Sequence, residues 1–274
     1  MAEARNLEQV HGVYHTYYEM KPMKPKLLEL KRILEKHLYC GKDNESSGQG
    51  LSFTQLKEMI QASEAEILDK LSELYTIKIK NKWRLMDVGF LYAWITNLDS
   101  ILRGKQLTVE QATIEELMDW TKTYEEEIVN SECISRFVAQ DDDCLKWDDV
   151  KVSQIFALYL LSELKAFDRN DFFVAWQESM PVGVTVCKEY LSGIALVDND
   201  STPSLVKYFP EFQLPADINR RLDTLFLTRA KWTLQDITPY IQPLTDDTLN
   251  VNALLTKYAR SSMVNGVKHY SSKY

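Results

Sequence analysis

Leucines at Leu27, Leu30, Leu34 and Leu38 fall at the three-and-four spacing that gathers side chains on one face of a helix. The lysine-proline run before them suits a helix start. A polar stretch, 41–50, follows as a linker. Ser52 and Gln55 then form an S-x-x-Q capping box, with Leu51 and Leu56 at the staple positions that fix a helix entry. Ser63 and Glu66 repeat the device ahead of an apolar stripe of Ile67, Leu71, Leu74 and Tyr75. Directly after it, IKIKNKWRL alternates Ile77 and Ile79 with Lys78 and Lys80, turns at Asn81 and Lys82, and returns through Trp83 and Leu85. Three helices followed by a hairpin is the winged-helix plan, in which the third helix is the usual reading element and the hairpin is the wing.

The same order recurs further along. An apolar helix from about Val150 to Leu164 carries Ile155, Leu158, Leu161 and Leu164, and a second helix is capped at Asp168 between the staple residues Phe167 and Phe172. A short helix is expected near Cys187–Leu191, and Ala195–Val197 can pair with Leu205–Tyr208 across NDSTP. A further run opens at Asp217, passes Leu222, Leu225 and Phe226, and restarts at the Thr233 and Asp236 cap flanked by Trp232 and Ile237. Its last helix begins near Asn250, with Val251, Leu254, Leu255 and Tyr258 on one face and Lys257 and Arg260 directed away from it. Asn265-Gly266 is the strongest short hairpin signal and joins Met263-Val264 to Val267-Lys268. In 88–147, Leu91, Ile95 and Leu98 mark a helix and Thr113 with Glu116 a capping box, but no clear wing closes the stretch. The expected fold is mainly α with short β-hairpins, in tandem winged-helix units. Its expected divisions are 1–24, 25–87, 88–147 (an irregular helical or degenerate unit), 148–214 and 215–274, and the pattern leaves three units or four open.

Composition narrows the chemistry. Across 274 residues, 45% hydrophobic positions supply enough apolar mass for several cores. No apolar run approaches the ~20 residues of a membrane helix, and the first residues lack a secretory signal's apolar stretch, so no membrane partner is expected. Nine glycines include no GxGxxG or GxxxxGK, which argues against a nucleotide cofactor. Four scattered histidines and Cys40, Cys133, Cys144 and Cys187 show neither HExxH nor CxxC spacing; the expectation is no cofactor, no metal, no disulfide framework and no catalytic residue. The net charge of −8 is concentrated, because 110–149 carries thirteen Asp and Glu against three Lys and Arg. That stretch, including Glu125–Glu127 and Asp141–Asp143, reads as solvated loop or as a guard against misplaced DNA.

LLTKYARSSMVNGVKHY at the end, WTLQDITPYIQPL before it, ALVDNDSTP and the early YYEMKPMKPKLLELKRIL together resemble the Dcc family of sister-chromatid-cohesion proteins across nearly the whole chain. The resemblance implies a non-enzymatic accessory subunit of the cohesion-type alternative replication factor C, a sliding-clamp loader of DNA replication. Its implied partners are the loader's small subunit and the tail of its large subunit, DNA polymerase epsilon, DNA of either strandedness read largely without regard to sequence and, indirectly, the sliding clamp; its implied location is the nucleus. It further implies that 1–24 is the remnant of a β-rich N-terminal portion, matched near Val10–Met20, and that stable assembly requires the remainder of that portion.

Residues 250–274 contain Lys257, Arg260, Lys268 and Lys273 with no Asp or Glu, beside a candidate reading helix. With the resemblance, these four are the expected phosphate contacts; without it, a merely solvating face weighs more. Ser261, Ser262 and Asn265 join them as candidate phosphate donors, and weigh equally as cap and turn residues. The first hairpin's Lys78, Lys80, Lys82 and Arg84 are candidates for DNA or partner contact, against the commoner role of lysines in guarding a sheet edge. Trp83 reads as core rather than as a base-stacking platform. Six Lys and Arg in 21–36 read as a solvated or partner-facing surface. The rival to DNA contact is a purely protein-binding scaffold whose units pack only on neighbours.

Overall fold

The computed structural model describes residues 25, 27–44, 50–141, 144–198, 202–245 and 249–273; the expected remnant 1–24, including Val10–Met20, lies outside them. Most of the regular structure is helical, with short, mainly antiparallel sheets. Helix α1 (Leu28–Leu34) is followed by strand β1 (Leu38–Tyr39), helices α2 (Phe53–Met59) and α3 (Glu64–Glu73), and the hairpin β2 (Thr76–Ile79) with β3 (Lys82–Met86). Both expected capping boxes form: the Ser52 and Ser63 hydroxyls accept from the N–H groups of Gln55 and Glu66, whose side chains reach back to the cap N–H groups. The helix expected to run to Leu38 stops at Leu34, and Leu38 pairs instead with Leu85 in a parallel bridge.

The first turn falls one residue earlier than the alternation suggests. Lys80 and Asn81 both have positive φ, 48° and 64°, as a tight two-residue turn demands, and Lys82 sits opposite Ile79 on the return strand. Opposed residues of an antiparallel pair share a face, so Lys82 and Arg84 lie on the side of Ile79 and Ile77, whereas Lys78 shares the other side with Trp83.

Next come α4 (Val88–Lys105), α5 (Ile114–Thr121), α6 (Glu127–Phe137) and the strands β4 (Val138–Asp141) and β5 (Cys144–Trp147), antiparallel in register Val138↔Trp147. The expectation that no wing closes this stretch is thus corrected: an antiparallel strand pair does, and the acidic run Asp141–Asp143 in the sequence is what hid the alternation. Among the described residues, most of the acidic stretch lies in α5, α6 and the strands β4 and β5, with Glu125 and Glu126 between the two helices. Glu125 within it is only 3% exposed, its carboxylate accepting from the Tyr39 hydroxyl and the Lys42 N–H, both at 2.7 Å.

Helix α7 (Asp149–Leu164) leads through β6 (Ala166–Asp168) into α8 (Arg169–Ser179), capped by Asp168 as expected. The short helix near Cys187 is a 3-10 turn, Lys188–Leu191. Strands β7 (Ala195–Asp198) and β8 (Leu205–Tyr208) pair as the pattern indicates, in sheet order β6-β8-β7. The last run is α9 (Ile218–Thr228), β9 (Trp232–Thr233), α10 (Leu234–Ile241), α11 (Val251–Tyr258), and the hairpin β10 (Arg260–Val264) with β11 (Val267–Ser271), in order β10-β11-β9.

Three apolar cores hold this together. One lies under α1, α2 and α3; one runs without a break from Tyr39 through α4, α6 and α7 to Val206; the third lies within the last run. Where α4 meets α7, the Tyr92 ring stacks on Tyr159 at 4.0 Å and meets Phe156 edge-on. Polar ties join the runs. Arg136 donates to the carbonyls of Ser72 and Thr76, and Arg229 to that of Val197, whose neighbour Leu196 enters the final core. Arg221, 1% exposed, pairs with Glu211 at 2.6 Å and donates to the carbonyls of Leu214, Pro215 and Tyr240, which is how a buried guanidinium is tolerated. The chain also closes on itself: the Arg32 guanidinium of α1 donates to the Leu214 carbonyl at 2.7 Å, and the Lys31 ammonium lies over the Phe212 ring. This part of the basic run 21–36 therefore faces an internal contact instead of a solvated surface. Burial lowers Lys31 to a pKa of about 8, against weaker support for the charge from Glu35 and Glu211.

Candidate nucleic-acid interface

Asn250 accepts from the Ala253 N–H and starts α11; Leu254 and Leu255 are buried against α9 and α10, and the helix ends at Tyr258 because Ala259 turns to extended backbone and is itself buried. This corrects the expected spacing. Lys257 is exposed on the helix, but Arg260 opens β10, opposite Ser271, so the two do not stand one turn apart on one helix. Lys273 closes on the helix end instead, its ammonium donating to the Lys257 carbonyl at 3.2 Å. Lys257 and Lys273 line a shallow recess of about 250 Å³ shared with Asp223 of α9.

The hairpin distributes the remaining candidates over two faces. Register Arg260↔Ser271, Ser261↔Tyr270, Ser262↔His269 and Met263↔Lys268 puts Ser261 and Lys268 on the face of the buried Tyr270, and Arg260 and Ser262 on the opposite face with His269. The Lys268 ammonium lies 5.2 Å from the Tyr270 ring. Asn265 and Gly266 form the turn with φ of 50° and 77°, so Asn265 serves the turn geometry, though its side chain is exposed. Lys257, Arg260, Ser261, Ser262, Asn265, Lys268 and Lys273 are all exposed, and none of the four cations joins an ion pair among the described residues. The geometry brings together Lys257 with Lys273, and sets Arg260 and Lys268 on either side of one blade.

The first hairpin divides differently. Lys78 and Lys80 are exposed and Lys82 half-buried, while Arg84 is 3% exposed, donating to the Leu38 carbonyl and lying over the Tyr39 ring. Arg84 is therefore withdrawn as a contact residue, since a guanidinium committed inward presents nothing to a phosphate. Trp83 packs on the first core, as its alternation indicates. Sequence reasoning missed a mixed recess of about 360 Å³ between the third and last runs, where Lys188, Lys231 and His269 face Glu189 and Asp198; only the fold brings these together. A larger groove, about 790 Å³, lies beside α1 and α3, its apolar floor of Leu27, Leu28 and Leu244 rimmed by Glu66, Asp69 and Glu73. Among the described residues no three His, Cys, Asp or Glu stand close enough to hold a metal, and no helix is long and apolar enough to cross a membrane. No disulfide joins the cysteines among the described residues; burial pushes the Cys133 thiol far up and also raises Cys40.

These features define a class: a mainly helical protein with short sheets and three apolar cores, whose candidate site is an open, basic hairpin and helix end in place of an enclosed cleft. Its sequence matches the family described as "Sister chromatid cohesion protein Dcc1" over residues 2–241. It is similar to "Sister chromatid cohesion protein DCC1" of Xenopus laevis, 33% identical over 97% of this chain and 70% of that protein. The proteins of the same name in Mus musculus and Homo sapiens are 32% and 30% identical over 97% of this chain, and 68% and 70% of theirs. The chain belongs to the Dcc1 family.

Proposed function

We propose that this chain is a non-enzymatic accessory subunit of an alternative sliding-clamp loader that acts in DNA replication and sister chromatid cohesion in the nucleus. The name its relatives carry supports the cohesion role. The fourfold order of helices and hairpin, with a strand ahead of the second helix bridging to the hairpin in the third and last runs, supports tandem winged-helix units. The observation that carries DNA contact is the acid-free stretch 250–274, whose Lys257, Arg260, Lys268 and Lys273 are exposed around one helix end and one hairpin. Such a surface binds phosphates and discriminates little between sequences. The loader's small and large subunits and DNA polymerase epsilon are the partners this reading assigns, with the sliding clamp reached indirectly.

The test is a DNA-binding titration of Lys257→Glu combined with Arg260→Glu. Both residues are exposed, so circular dichroism and melting temperature stay near the parent while affinity falls similarly on unrelated sequences. Undiminished affinity in an intact fold would favour the scaffold reading, for which the interlocking contacts between successive runs speak.

A further inference from the structure

The tip of the last hairpin is apolar on both faces. Met263 is 67% exposed and lies on the face of Lys268; Val267 is 49% exposed and lies with Val264 on the other. The register explains why the core cannot cover them: β9 pairs only with His269 and Tyr270, so the hairpin beyond Ser262 projects past the three-stranded part of its sheet. At the apex, a Cβ built on Gly266 would meet no atom within 4 Å. The two-residue turn, with both φ values positive, keeps the tip narrow. Behind it, Arg260 stands on one face and Lys268 on the other, and residues 250–274 contain no Asp or Glu.

A surface that docks on a protein typically offers one apolar face. A blade apolar on two sides and cationic behind fits a slot with apolar walls and an anionic rim, which is the space between adjacent base pairs bounded by two phosphate backbones. We propose that Met263 and Val267 form a wedge that enters a base step of duplex DNA, unstacking and bending it, while Arg260 and Lys268 each meet a phosphate of a different strand. This rests on the DNA-contact reading and adds to it a deformation that phosphate contact alone does not produce. Selectivity then follows from how easily a step opens, so flexible pyrimidine–purine steps are favoured sites.

The test uses the full chain on a duplex with 2-aminopurine at a central TA step and a fluorophore pair at its ends. Bound parent raises 2-aminopurine emission and brings the ends closer. Met263→Ser with Val267→Ser loses both signals but retains the salt slope of binding, because every cation remains, and its circular dichroism matches the parent. A parent complex that shows the expected salt slope yet stays stacked and straight overturns the wedge alone and assigns the tip to a protein partner. Equal unstacking by the double variant overturns it as well. A parent that binds no duplex at any salt concentration overturns both the wedge and the DNA-contact reading.

Discussion

Lys31 shows at the residue scale what the closure of the chain costs. Its folded pKa of about 8 lies below the ordinary 10.5 because burial disfavours the ammonium more than Glu35 and Glu211 support it. Below pH 8 the folded state bears that penalty in full; between pH 8 and 10.5 the folded protein has released a proton that the unfolded chain still holds, so stability rises with pH. Lys31→Met is therefore expected to stabilise the fold at pH 7 by on the order of 2 kcal/mol, an advantage that shrinks as pH passes from 8 to 10.5. Urea denaturation of parent and variant at pH 7 and pH 10 measures it, and a difference constant across that range would contradict the account. Nothing local in the sequence marks Lys31, since Phe212 and Leu214, which cover its helix, lie some 180 positions away. Arg84 and Arg260 were misplaced for separate reasons. Arg84 is buried because both faces of its hairpin are covered, Ile77 and Ile79 by one core and Trp83 and Leu85 by another, while Arg260 leaves the helix because α11 ends at Tyr258.

Elements were most legible where a side chain closes its own backbone. Ser52, Ser63, Thr113, Asp168, Asp217 and Asn250 all cap the helices their spacing announces. Capping is a local bargain between residues three apart, so distant packing does not alter it. Ser63→Ala should thus cost about 1 kcal/mol, seen as a lowered denaturation midpoint with unchanged slope; it should also return Glu66, whose carboxyl the Ser63 N–H and hydroxyl hold below its usual range, toward that range. No loss of stability would mean that water replaces the cap without cost. The strands β4 and β5 were illegible for the opposite reason: paired strands are defined by cross-strand contacts, and the acidic run Asp141–Asp143 in the sequence outweighs the apolar Val138, Leu145 and Trp147, which are buried.

For the whole molecule, the sequence conveyed the recurring order of elements but not how the runs meet. The unbroken core from Tyr39 to Val206 and the contact of α1 with Phe212 and Leu214 both arise from long-range packing that no short window contains. The candidate interface was half legible: its cations and its freedom from acids are properties of composition, whereas their division between the Lys257–Lys273 pair and the two faces of the blade required the register. That arrangement makes phosphate contact a quantitative claim. Each engaged phosphate contributes about 0.9 to the slope of log affinity against log salt concentration on duplex DNA. The most direct measurement is therefore that slope for the parent and for single alanine variants of Lys257, Arg260, Lys268 and Lys273. The account predicts a parent slope of about −3.6 if all four cations engage, reduced by about 0.9 in each variant; a slope near zero, or one that none of the four substitutions changes, would contradict it.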